Sequence, residues 1–145
     1  MRLLFLCTGN YYRSRFAEEL WQHLESKEPS GWRAESRGLF VSQSLGNIGA
    51  ISPYARHALG VEGIRLSEPV RPPRQVESED LVACSHIVAM SESEHRSMVQ
   101  SLFPAWASVV EYWDIEDVGA CPVEIAMKDL STRVCELRLR LRRGH

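Results

Sequence analysis

Cysteine is sparse in this 145-residue sequence: Cys7, Cys84, Cys121 and Cys135 are scattered, and no two stand at Cys-x-x-Cys spacing. That argues against the disulfide framework of a small secreted domain and against a zinc knuckle. Long apolar runs are also missing. The opening run, residues 3–6, is too short for a signal-peptide core, and nothing approaches the roughly twenty residues needed to span a bilayer. Reduced thiols and a cytoplasmic location are the expectation. Lysine is nearly absent, since 15 of the 17 basic residues are Arg, and 19 acidic residues leave a net charge of -2. No global positive field therefore marks nucleic acid or membrane as a partner. There is no internal repeat and no low-complexity linker. What remains is ordinary for one globular domain over residues 1–145: 44% hydrophobic and 25% charged residues, enough to bury a core.

Short apolar runs alternate with helical patterns. Residues 3–6 read as a buried strand ending at the turn-prone Thr8-Gly9-Asn10. Phe16, Ala17, Leu20, Trp21 and Leu24 then form one helical stripe, with Glu18, Glu19, Gln22 and Glu25 turned away. Residues 32–36 make a second strand, and 38–50 a long polar connection. Ser52-Pro53 caps a helix that Gly60 should end. Residues 69–75 hold three prolines and read as an exposed loop before a short helix at 77–84. Residues 87–90 are a third strand. Ser91 and Glu94 have capping-box spacing, opening a helix to about residue 102. Residues 108–112 give a fourth strand, 113–119 an acidic loop, and the apolar positions from Val123 to Leu141 a long closing helix. Its five arginines between 133 and 143 read as a solvated face or a contact for a partner. This order specifies an α/β fold: a four-stranded, mostly parallel sheet covered on both faces, with ligands bound at the carboxyl ends of the strands.

Cys7 and the 113–119 loop both lie at such ends. The segment from Cys7 to Ser14 joins the first strand to the first helix, where backbone N–H groups can converge on an anion in front of the positive end of the helix. The same field stabilises negative charge on the Cys7 sulfur. Arg13, six residues on, can grip two phosphate oxygens with its planar guanidinium. Gly9 permits close backbone approach, and Asn10 can pin the loop. A thiolate beneath an oxyanion cradle is a nucleophile for phosphoryl transfer. On spacing alone, Cys7 is as readily a small buried hydrophobe with Ser14 as a helix cap.

The segment CTGNYYRSRFAE resembles the signature of the low-molecular-weight protein tyrosine phosphatase family, Cys-x-Gly-Asn-x-Cys-Arg-Ser-x-x-Ala-Glu, at Cys7, Gly9, Asn10, Arg13, Ser14, Ala17 and Glu18. Ser36-Arg37-Gly38, Gly63-Ile64 with the Arg71 loop, and Met90 before Ser91-Glu92-Ser93 resemble later parts of the family pattern. The resemblance implies a four-stranded parallel sheet flanked by helices, with a phosphate-binding loop after the first strand. It implies hydrolysis of phosphomonoesters, with protein phosphotyrosine as the expected substrate, through a cysteinyl-phosphate and without metal or other cofactor. The partners would be a phosphorylated protein or small phosphomonoester, with inorganic phosphate as product. By the same resemblance Cys7 is the nucleophile and Arg13 the clamp. Ser14 donates to the Cys7 sulfur, Asn10 supports the loop, and Thr8, Gly9, Tyr11 and Tyr12 complete it. The general acid falls in the 113–119 loop: Asp117 aligns with the family's aspartate, and Asp114 is the alternative.

The departures bear on substrate. Tyr12 stands where the family carries a second loop cysteine, so that protective disulfide is not expected. Arg15 replaces a common proline, and Val118 the proline after the acid. The family's aromatic pair after that proline is absent, since Gly119-Ala120 follow Val118. Tyr11 and Tyr12 would narrow the pocket, stack on a flat substrate, or simply pack. Arsenate reduction with Cys84 or Cys121 as a relay thiol and a phosphate-recognition protein with weak activity are the rival readings; a phosphoarginine phosphatase is a version of the main one, to which the bulky Tyr11 gives no support. His57, His86 and His95 read as ordinary structural or surface residues.

Overall fold

The computed structural model describes residues 1–43, 46–66 and 68–144, so positions 44 and 45 of the 38–50 connection lie outside the described residues. Four parallel strands, β1 (Arg2–Cys7), β2 (Arg33–Gly38), β3 (His86–Ala89) and β4 (Glu111–Tyr112), form one sheet in the order β2-β1-β3-β4. The central position of β1 explains its wholly apolar sequence, because both faces of a parallel sheet are covered. Leu3, Phe5 and Cys7 join one core with Trp21, Val88 and Leu137. Leu4 and Leu6 join the other with Leu39, Leu81 and Val99.

Helices α1 (Arg13–Lys27), α2 (Pro53–Val61) and α5 (Val123–Arg143) contribute to the first core, and α3 (Ser78–Ala83) and α4 (Glu92–Leu102) to the second. No described helix is long and apolar enough to cross a membrane. Ser52 caps α2 by accepting the Tyr54 N–H at 3.1 Å, with Pro53 as its first residue. Gly60 lies inside that helix rather than ending it, and Gly63, at φ +77°, makes the turn beyond.

The chain leaves β1 toward β2 on one side and later returns to β3 on the other. Their carboxyl ends therefore flank a crevice at the point where strand order reverses. Gly38 at the end of β2 closes against it: a Cβ there would lie 2.8 Å from the Thr8 carbonyl oxygen and 3.0 Å from the Asn10 nitrogen. The arginines of α5 divide between burial and the solvated face. Arg138 is buried against Trp21 and Glu25, Arg140 pairs with Glu111 and Arg142 with Glu28. They tie the closing helix to α1 and β4.

Candidate active site

The crevice is a cleft of about 630 Å³ whose lining includes Cys7, Thr8, Gly9, Tyr11, Tyr12, Arg13, Glu94 and Asp117. Its floor is the turn from β1 to α1. No side chain caps the start of α1. The backbone N–H groups of Gly9, Asn10, Tyr11 and Tyr12 have no acceptor among the described residues. Unpaired donors at an open helix start are a ready anion site.

Asn10 makes that turn possible. Its φ of +51° lies in the left-handed region that Asn tolerates better than most residues, and all four hydrogen-bonding positions of its fully buried side chain are used. Oδ1 accepts from Arg71 Nη1 at 3.2 Å and the Arg74 N–H at 3.0 Å. Nδ2 donates to Ser14 Oγ at 2.9 Å and Ser36 Oγ at 2.8 Å. Having accepted from Asn10, Ser14 can donate to Cys7 Sγ, 2.9 Å away. Ser36 likewise donates to Glu18 Oε1 at 2.6 Å, which also receives Arg71 Nη2 at 2.9 Å. Glu18 is thus buried beneath the loop instead of turned outward, and Arg71 is its partner rather than a free loop residue.

Arg13 is 2% exposed, and its five N–H groups can be accounted for one by one. Nη1 donates to Glu94 Oε2 and to the Ile115 carbonyl, both at 2.9 Å. Nη2 donates once, to Glu94 Oε1 at 2.9 Å. The remaining Nη2 proton and the buried Nε–H lie on one edge of the guanidinium, and Nε has no partner. That edge has the geometry for two oxygens of a tetrahedral oxyanion.

Asp117 Oδ2 is 3.6 Å from Arg13 Nη2, and Asp117 lines the cleft. Asp114 lies outside that lining, 77% exposed and ion-paired with Arg133. Tyr11 donates to the Ile48 carbonyl at 2.6 Å and so holds one wall. Tyr12 is buried with its hydroxyl unpartnered; burial first, then the Asp117 charge, push that hydroxyl up to about 12. Arg15, at the family's proline position, is a buried strut: its Nη1 donates to the Ala50 and Arg71 carbonyls at 2.9 and 2.7 Å.

Two groups read otherwise in the sequence belong to this site. Glu94 makes no capping box with Ser91, whose side chain forms no cap bond; its carboxylate turns onto Arg13 and Thr8. His95, fully buried, reaches Thr8 Oγ1 at 3.0 Å through Nε2. The Ser-x-x-Glu spacing was the only sequence signal for Glu94, and it serves a cap equally well.

Among the described residues, no three His, Cys, Asp or Glu side chains converge as a metal site requires. A second groove of about 690 Å³ shares Tyr54 with the cleft, but its lining, which includes Ala58, Val61, Val123 and Met127, holds no nucleophile of this kind.

Comparison with known proteins agrees with this geometry. The chain is 33% identical over 103 residues, 71% of its length, to a protein-arginine-phosphatase of Geobacillus stearothermophilus, and 29% identical over the same extent to one of Bacillus subtilis. Those matches span 62% and 63% of the two relatives. A low-molecular-weight protein tyrosine phosphatase from T. tengcongensis superposes with a TM-score of 0.77 at 27% identity, covering 100% of this chain and 99% of that one. The Geobacillus arginine phosphatase structure gives 0.77 at 27%, covering 99% and 94%. Residues 2–117 match the family described as low molecular weight phosphotyrosine protein phosphatase. With the signature loop, the 2-1-3-4 sheet and the cleft at its switch point already in place, the chain belongs to that family.

Proposed function

We propose that this chain dephosphorylates protein side chains by a metal-independent, two-step reaction through a cysteinyl-phosphate. The observation that carries the reading is the donor set around Cys7: the loop N–H groups from Gly9 to Tyr12 have no acceptor among the described residues, and the buried Arg13 Nε, on a residue that lines the same cleft, has no partner. In the first step the Cys7 sulfur attacks phosphorus and the bond to the leaving atom breaks. Asp117 supplies a proton to that atom, while Arg13 and the loop N–H groups hold the equatorial oxygens. In the second step water attacks phosphorus, gives its proton to the Asp117 carboxylate, and the S–P bond breaks to return the thiolate and release inorganic phosphate. Ser14 stabilises the sulfur anion in both directions. Asp117 is preferred over Asp114 because it lines the cleft, whereas Asp114 is engaged by Arg133.

Phosphotyrosine is the proposed substrate, with the tyrosine phenol as leaving group, supported by a wall of Tyr11, Ile48, Tyr54 and Val118 that suits a flat ring. Phosphoarginine is the second reading, supported by what the two curated relatives are named for. A relay through Cys84 is disfavoured: the residue lies at the amino end of β3, opposite the cleft, and burial, with Glu35 adding to it, pushes its thiol up to about 11.

Phosphate release from matched phosphotyrosine and phosphoarginine peptides, without added metal, tests the leaving group. Turnover of the phosphotyrosine peptide at least tenfold higher in kcat/KM supports the first reading, and the reverse ratio replaces it with the second. No turnover of either, with phosphate still bound, favours a recognition role.

A further inference from the structure

Glu94 takes no part in that reaction, yet its carboxylate accepts three hydrogen bonds in the cleft. Oε1 accepts from Arg13 Nη2 at 2.9 Å and Thr8 Oγ1 at 2.7 Å, and Oε2 accepts from Arg13 Nη1 at 2.9 Å. Behind it stands His95. Its Nδ1 accepts the Ser91 N–H at 3.0 Å, which leaves the ring proton on Nε2, 3.0 Å from Thr8 Oγ1 and 3.4 Å from Glu94 Oε1. The Nε2–H therefore faces both Thr8 Oγ1 and Glu94 Oε1, and Thr8 and Arg13 donate to the same carboxylate. A general acid is not what this environment makes. The His95 hydrogen bond, with those of Arg13 and Thr8, outweighs burial and holds the Glu94 carboxyl well below the usual carboxylate range. Capping is not its task either, since Ser91 and Glu94 form no reciprocal pair. What the geometry does is occupy the end edge of Arg13 and leave the side edge for an oxyanion.

We propose that Glu94, braced by Thr8 and His95, is a positioning residue that fixes the Arg13 guanidinium with its free edge toward Cys7, favouring the transition state at the expense of ground-state oxyanion affinity. The inference rests on the phosphatase reading. A carboxylate beside the crevice repels a bound phosphate in every state. The orientation it imposes on Arg13 matters most where the oxygens spread into the equatorial plane of the transition state. Removing Glu94 should therefore separate two quantities that a merely structural residue would move together.

The test uses the full chain and its Glu94→Ala and Glu94→Gln variants, with p-nitrophenyl phosphate as substrate and inorganic phosphate as competing ligand. The expected result is a kcat lower by on the order of 10²-fold in Glu94→Ala, and by less in Glu94→Gln, which keeps one acceptor. The phosphate inhibition constant should be unchanged or lower. Nitrogen-15 spectra of the Arg13 side chain should show distinct, slowly exchanging Nη signals that average in Glu94→Ala, while backbone amides away from the cleft stay in place. A phosphate constant that rises in step with the loss of kcat, an unchanged kcat, or backbone shifts spreading through the sheet would each overturn the proposal. If the parent chain shows no Cys7-dependent turnover, the phosphatase reading fails. Phosphate binding and the Arg13 spectrum then still decide, on their own, whether Glu94 fixes the guanidinium.

Discussion

The floor of the cleft and its acidic rim are built by opposite means. In the floor, the two polar atoms of the Asn10 side chain make four bonds to three parts of the chain: α1, β2 and the 71–74 loop. Ser14 and Ser36 pass those bonds on to Cys7 and Glu18. Among the described residues the rim is anchored at its root, where the Trp113 and Ile115 N–H groups donate to the Ala89 and Met90 carbonyls at 2.9 and 2.8 Å and the Ile115 carbonyl accepts from Arg13. Beyond Ile115 the bonds are local. Asp117, 54% exposed, accepts its own neighbour's N–H at 2.8 Å and sits at ion-pair distance from Arg13. A preorganised floor suits a group that must stabilise charge without rearranging. A loosely held carboxylate suits one that gives up a proton in one step and takes one back in the next.

The sharpest way to break this contrast is at the rim. Asp117→Asn should lower kcat by roughly 10²–10⁴-fold and abolish the basic limb of the pH–rate profile, with no effect on thermal stability beyond experimental scatter. Asp114→Asn should leave both near the parent values, because the Arg133 pair it loses is solvent-exposed and worth little. A deficit in Asp114→Asn with normal Asp117→Asn kinetics would exchange the two assignments.

A smaller kinetic effect with a larger structural one is expected from the floor. Asn10→Ala deletes four hydrogen bonds and places a Cβ residue without a supporting side chain at φ +51°. Chemical denaturation should show a loss of about 3 kcal/mol, with kcat down about tenfold or more. Asn10→Gly separates the two causes: it relieves the backbone and still removes the side chain, so it should recover only the conformational part of the loss, about 1 kcal/mol. Equal damage at floor and rim, in both stability and rate, would dissolve the distinction.

How much of this was legible in the sequence follows from how local each signal is. The apolar run of β1, the turn at Thr8-Gly9-Asn10 and the stripe of α1 lie within a few residues of one another, so their pattern already placed Cys7 and Arg13 at the mouth of a parallel sheet. The partners of charged residues are long-range, and there the pattern misled. Glu18 looked like an outward helix residue and is buried under Arg71; Glu94 looked like a cap and lies on Arg13, 81 positions away in sequence. Of the α5 arginines, Arg138 is buried against Glu25, whereas Arg140 and Arg142 stay on the solvated face while pairing with Glu111 and Glu28. Periodicity reports which face is apolar, and it carries no information on which distant carboxylate a guanidinium will meet. The fourth strand was longer in expectation than in fact: β4 keeps only Glu111–Tyr112, because the residues before it follow a 3-10 turn at Pro104–Trp106 and do not reach the β3 edge.

The claim on which the rest depends is that Cys7 carries the phosphoryl group. The direct measurement is a rapid-mixing experiment with p-nitrophenyl phosphate, following p-nitrophenol release and mapping the phosphoryl label by mass spectrometry, for the parent chain and for Cys7→Ser. The expected result is label on the Cys7-bearing peptide of the parent during turnover, with turnover lost in Cys7→Ser. Turnover that persists in Cys7→Ser, or a label on any other residue, would contradict it.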